Sequence, residues 1–221
     1  MRDDSRVPLT APPSFFFGAM SPYSWFAAER IERLLPQARW HGVLAGAIFK
    51  QHGRVSWGLD ERRADGIADC ERRAAQHALG PIEWPAAWPT SDLLVARAMV
   101  FCEQPAAAGR VAGRDARGAD SGDRLLRSFA LAAMRLAFLE GADLAEMDAV
   151  LEAGRRAGID EHRLREALHD PHIKDALRVA TDEALVAGIF GVPTVLVGAE
   201  LFWGDDRLSD AAAAYRSSQA A

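Results

Sequence analysis

Residues 188–208 read G-I-F-G-V-P-T-V-L-V-G-A-E-L-F-W-G-D-D-R-L. Residues 193–197 are apolar and β-branched, Gly198 and Ala199 give a turn signal, and residues 200–203 form a second short run able to pair back as a hairpin. Beyond Gly204, residues 205–215 are expected to form a closing helix. Further strands are found only at the other end of the chain.

There, residues 14–18 form a short, fully apolar run that reads as a buried strand. M-S-P-Y-S-W follows at residues 20–25. Ser21 can cap a helix and Pro22 suits its first position. Trp25, Ala28, Ile31, Leu34 and Leu35 recur at helical spacing until Pro36 stops the run. Residues 39–44 read as a second strand, so the opening is β-α-β, which favours a parallel pair with a right-handed crossover. The middle reads as helical, with segments at 66–79, 91–104 (capped by Ser91), 123–140, 144–153 and 161–168, and one from Asp170-Pro171 to about 186. Residues 105–123 lack periodicity and read as a long surface loop. The fold class is therefore α/β, with a helical insertion between two strand-bearing ends.

The 221 residues are 49% hydrophobic, enough for one sizeable core or for one core with a helical insert. A net charge of -5 without a basic stripe argues against nucleic acid and anionic membranes as partners. Residues 1–13 are polar and proline-containing, read as a flexible tail, and lack the apolar stretch of a signal peptide. No run has the length of a membrane span, so the expected location is cytoplasmic. Cys70 and Cys102 are far apart and form no CxxC pair. Cys102 sits in an apolar run and reads as a buried structural thiol. The six histidines show no metal-ligand spacing, so no metal is expected. His52 stands apart because it lies near Lys50.

S-P-Y-S has the outline of the dithiol motif C-P-Y-C with serine at both sulfur positions. Together with G-A-I-F-K at residues 46–50 and the stretch 188–208, it resembles the 2-hydroxychromene-2-carboxylate isomerases and the kappa-class glutathione transferases, in the DsbA-like branch of the thioredoxin superfamily. The resemblance spans roughly residues 14–215, with weaker support from residues 69–74 and 93–98. It implies a thioredoxin-like domain built from residues 14–58 and 182–221 and an all-helical insertion at 59–181. It also implies a cis bond before Pro193, a homodimer, and glutathione as cofactor.

On that resemblance Ser21 holds the glutathione thiolate at the helix start; on local sequence alone it is a plain N-cap. The Val192 backbone before Pro193 corresponds to the site of the cysteinyl part, binding the peptide like an added strand. Asp206 corresponds to the carboxylate that holds the γ-glutamyl ammonium and Asp205 to a neighbouring polar contact; the alternative is that both only cap the last helix. Lys50 corresponds to a contact for a carboxylate-bearing aromatic substrate, against simple emergence into solvent. Tyr23 is placed at the mouth of the site, and Ser24 faces the interior or caps a backbone group. The chain departs from the family at residues 18–20, which lack an acidic residue, and at Gly53-Arg54, where members often have Gly-Asn. The implied activity is glutathione-dependent cis-trans isomerisation of an aromatic pyruvate or hemiketal. A kappa-type transferase or peroxidase and a non-enzymatic binding protein remain open, and disulfide exchange is disfavoured because the motif lacks cysteine.

Overall fold

The structure is a computed structural model that describes residues 11–104 and 119–220. Its centre is a four-stranded mixed sheet of order β2-β1-β3-β4, with β1 Ser14–Phe17, β2 Arg39–Gly42, β3 Thr194–Val197 and β4 Glu200–Trp203. β1 and β2 run parallel, with Phe15 opposite Trp40. β3 runs antiparallel to β1 and to β4, closing the hairpin expected from residues 193–203.

The sheet is buried on both faces, which accounts for the unalternating apolar run in β1. Phe15 and Phe17 point one way and meet the Trp40 ring edge-on at 5.1 and 5.3 Å. Phe16 points the other way into a smaller cluster with Val43, Ile48, Ile189 and Val192. Helix α1 (Pro22–Leu34) covers the first face, burying Trp25, Phe26 and Ile31. Short α2 (Ala45–Gln51) covers the second. A 3-10 turn, Trp57–Leu59, then leads into α3 (Arg63–Gln76) and α4 (Leu93–Glu103). Helices α5 (Ala119–Leu139), α6 (Met147–Arg156), α7 (Glu161–His169) and α8 (Pro171–Val186) follow. A second 3-10 turn, Asp205–Arg207, precedes α9 (Leu208–Ala220). One apolar cluster runs from Phe15 and Trp25 to Met99, Phe129 and Leu164, so the sheet and the helices after α3 share a core. Trp25 stacks on Phe138 of α5 at 5.6 Å within it.

Several local expectations shift. The expected tail at 1–13 and loop at 105–123 fall largely outside the described residues, and the helix read from 123 already begins at Ala119. The helix read at 144–153 begins at Met147, because the Asp143 carboxylate accepts the Ala145 N–H at 2.9 Å and holds a turn there. Ser91 accepts the Leu93 N–H at 3.4 Å, as a cap would, but Asp92 occupies the cap position itself. The closing α-helix begins at Leu208 rather than at Asp205, because residues 205–207 form the 3-10 turn. Helix α2 has no counterpart in the sequence reading. Among the described residues no helix is long and apolar enough to cross a membrane.

Candidate active site

The start of α1, helix α2, the 3-10 turn at Trp57 and the segment before β3 enclose a cavity of about 550 Å³. Ser21 lines it at the N-cap of α1, with Pro22 at the first helical position. Its Oγ accepts the Ser24 N–H at 3.3 Å, which leaves the hydroxyl hydrogen free to be donated into the cavity. Ser24 is fully buried and its Oγ accepts the Gly18 N–H at 3.4 Å, so the second serine of S-P-Y-S serves the backbone.

Opposite elements supply the remaining wall. Val192 lines the cavity, is 6% exposed, and the Val192–Pro193 bond is cis. Among the described residues neither its N–H nor its C=O makes a backbone hydrogen bond, while the next carbonyl, of Pro193, accepts Gly204 N–H at 2.9 Å. Two buried backbone groups without a partner are a ready edge for an extended peptide. Lys50 lies on the last turn of α2, exposed at the cavity, with no ion pair among the described residues.

Tertiary partners place that helix. Leu44 at the α2 N-cap provides no side-chain cap; instead Asp92, far along the chain, accepts the Ala45 N–H at 3.1 Å. Burial pushes the Asp92 carboxyl up, and the amides of α2 oppose that shift. Trp88 fixes the other side, donating its indole N–H to the Met20 carbonyl at 3.0 Å, one residue before Ser21. Trp57 packs on Trp88 at a tilt, with ring centroids 4.9 Å apart. The W-P-A-A-W-P run at residues 84–89 reads as a connector, so local sequence does not mark Trp88 as a wall; two tryptophans in a connector are the available signal.

Tyr23 lines the cavity by its ring, but its hydroxyl donates to Asp69 at 3.1 Å. Burial and the neighbouring Cys70 and Asp69 push that phenol well above its usual range, so it stays protonated. Burial also pushes the Cys70 thiol up to about 12. Cys102 is buried and its thiol too is held up by burial. Neither sulfur lines the cavity.

Asp205 corrects the sequence reading. It neither caps the turn nor reaches the cavity; it is 1% exposed, with Arg73 at 2.7 Å and Arg30 at 3.4 Å on its carboxylate. His77 lies 3.5 Å away. Burial pushes the Asp205 carboxyl up, and Arg73 and Arg30 oppose that rise. Burial and Arg30 hold His77 below its usual range, leaving Nε2 to accept from Arg30 at 3.0 Å. Asp206, by contrast, is exposed, packs against Gly204, and has no ion pair among the described residues. It lines a separate cleft with Arg30, Arg72 and Arg73. His52 is exposed and meets Phe190 edge-on at 6.5 Å without lining the cavity. Among the described residues, no cluster of three or more His, Cys, Asp or Glu could hold a metal.

This arrangement, with two serines at the sulfur positions and a proline-preceding backbone facing them, is that of a DsbA-like thioredoxin fold. Residues 14–216 match the family described as DSBA-like thioredoxin domain, and the chain belongs to that family. It is 25% identical over 214 residues to 2-hydroxychromene-2-carboxylate isomerase of Sphingobium xenophagum, covering 90% of this chain and 95% of the relative. A solved 2-hydroxychromene-2-carboxylate isomerase superposes with TM-score 0.73 at 18% identity, covering 93% of this chain and 94% of that one. A probable DsbA oxidoreductase from Streptomyces coelicolor gives TM-score 0.65 at 16% identity, with 94% and 89% covered. These two structural likenesses speak for the fold alone.

Proposed function

We propose that this chain is a cytoplasmic, glutathione-dependent cis-trans isomerase of the 2-hydroxychromene-2-carboxylate isomerase type, acting on an aromatic pyruvate or its hemiketal. One observation carries the reading: a serine hydroxyl with a free hydrogen at a helix start shares a cavity with the unpartnered backbone of Val192. A thiol-bearing peptide fits that donor set. Val192 offers N–H and C=O to its backbone, next to Pro193, and Asp206, which lines the separate cleft, is the carboxylate proposed to receive its ammonium. Asp205 is left out of this reading, because Arg73 and Arg30 already engage its carboxylate.

Glutathione, when bound, supplies a thiolate that can add to a conjugated bond and leave again, so no protein thiol is needed. Ser21 donates its hydroxyl hydrogen to an anion at the start of α1, and the first-turn N–H groups and helix dipole act in the same sense. Lys50 offers its unpaired ammonium to a substrate carboxylate. Phe49, Trp57 and Trp88 provide apolar walls for a ring. Disulfide exchange is disfavoured because the cavity wall holds no thiol and both cysteines are buried.

The test is calorimetric titration with reduced glutathione of the wild type, Ser21→Ala and Asp206→Ala, followed by turnover of an aromatic pyruvate with glutathione mass balance. Saturable binding, weakened by Asp206→Ala, and turnover without glutathione loss are expected. Ser21→Ala should raise the bound-thiol pKa by about one to two units, the worth of a hydrogen bond to a charged group. Absence of binding by the wild type sinks the cofactor assignment. Stoichiometric consumption of glutathione would instead favour a kappa-type transferase.

A further inference from the structure

Arg54 stands in a setting unlike that of the other arginines near the cavity. Arg62 is paired with Asp60. Arg63 donates to the carbonyls of Gly58 at 3.0 Å and Trp88 at 2.6 Å. Arg54 lines the cavity and has no carboxylate partner among the described residues. Its guanidinium carbon lies 5.1 Å from the Trp203 ring centroid and 5.7 Å from that of Phe49. Nη1 donates to the Phe190 carbonyl at 3.1 Å. The backbone is fixed as well, since Arg54 N–H closes the end of α2 onto the Phe49 carbonyl at 2.8 Å.

The aromatic contacts and the Phe190 bond hold the guanidinium in place while using one of its five N–H donors. The four that remain include the fork that matches a planar carboxylate in two parallel bonds. A preorganised fork loses little rotamer entropy when it binds. Among the described residues the one acid lining the cavity is Asp92, whose carboxylate already accepts the Ala45 N–H. Lys50 and Arg54 therefore make a local excess of positive charge in a chain of net charge -5.

We infer that Arg54 is a specificity-determining residue that grips a carboxylate of the bound ligand, in a cavity whose aromatic walls take the ligand's apolar body. Lys50 is a mobile point charge and Arg54 the directional contact. The carboxylate has two possible sources, the glycyl end of a thiol peptide or the acid group of an aromatic second ligand. The inference rests on this cavity being the binding site, and only its first source depends on the glutathione reading.

The test titrates wild type, Arg54→Gln and Arg54→Lys by calorimetry and tryptophan fluorescence with two probe pairs: glutathione against its glycyl ethyl ester, and trans-cinnamate against cinnamamide. Loss of one bidentate charge-assisted contact predicts about tenfold weaker binding of the acid of one pair by Arg54→Gln, with its neutral partner unaffected. Arg54→Lys, which keeps the charge and loses the fork, should fall between the two. An effect confined to glutathione identifies the glycyl carboxylate as the gripped group, and one confined to cinnamate identifies the second ligand. Cinnamate selectivity without any glutathione binding would overturn the cofactor reading and leave Arg54 in its role. Unchanged affinities in Arg54→Gln, equal loss of acid and neutral probe, or no binding of either acid by the wild type would overturn the inference. Thermal melts of the variants exclude unfolding as the cause of any loss.

Discussion

Asp205→Asn separates a structural acid from a binding one. The carboxylate is buried between α1, α3 and the last 3-10 turn, where Arg73, Arg30 and His77 converge on it. Arg73 also donates to Asp69 at 2.9 Å, which in turn accepts the Tyr23 hydroxyl, so the network reaches the cavity wall. Asparagine keeps the shape and removes the charge, leaving two guanidiniums only 16% and 27% exposed with weakened partners. Removing one member of a buried ion pair costs about 3–5 kcal/mol. Because Arg73 retains Asp69 and both arginines keep some water, the low end of that range, about 3 kcal/mol, is expected here. For a chain of this size that is a fall of about 6–12 °C in melting midpoint. The assay is urea and thermal denaturation of Asp205→Asn, with glutathione calorimetry on the folded variant well below its midpoint. Affinity should stay within about threefold of wild type, under 1 kcal/mol. A variant as stable as wild type that has lost glutathione binding would refute the structural role and restore Asp205 to the cofactor site.

Glu103 gives a pH prediction. Burial first, with Asp123 and Glu183 adding, pushes its carboxyl from 4.5 up to about 7, against the Gly42 N–H that it accepts. In the folded state it therefore holds a proton that the unfolded chain has released, so its contribution to stability is full below about pH 4.5 and lost as pH rises through about 7. Denaturation midpoints should show stability falling by on the order of 3 kcal/mol across that window, and Glu103→Gln should flatten the curve; identical curves for the two proteins would refute this. Gly66 of α3 lies where an added methyl would collide with the Trp57 ring. Alanine there gains up to ~1 kcal/mol of helix propensity but overpacks by about 1–3 kcal/mol. Gly66→Ala should therefore lower the melting midpoint and shift tryptophan emission, whereas a stabilised protein with unchanged emission would show that Trp57 yields freely.

What the sequence determined alone is what depends on neighbours along the chain. The unbroken apolar run in β1, the Ser21-Pro22 start of α1 and the turn at Gly198 between β3 and β4 each rest on local spacing and turn chemistry, and each is legible without the fold. So is the Ser21 cap, because the Ser24 N–H that it satisfies lies three residues away. What the tertiary structure decided depends on partners far along the chain. Helix α2 is too short to stand on propensity and takes its N-terminal cap from Asp92, 47 residues on, so no local pattern announces it. Asp205 looks like a helix-start acid in sequence, yet its partners Arg73 and Arg30 lie 132 and 175 residues away. Only folding buries it and makes those charges obligatory. The aromatic walls from Trp57 and Trp88 and the placement of Arg54 against Trp203 are likewise meetings of distant segments. Local sequence can name such residues, and only packing sets which of them share a cavity.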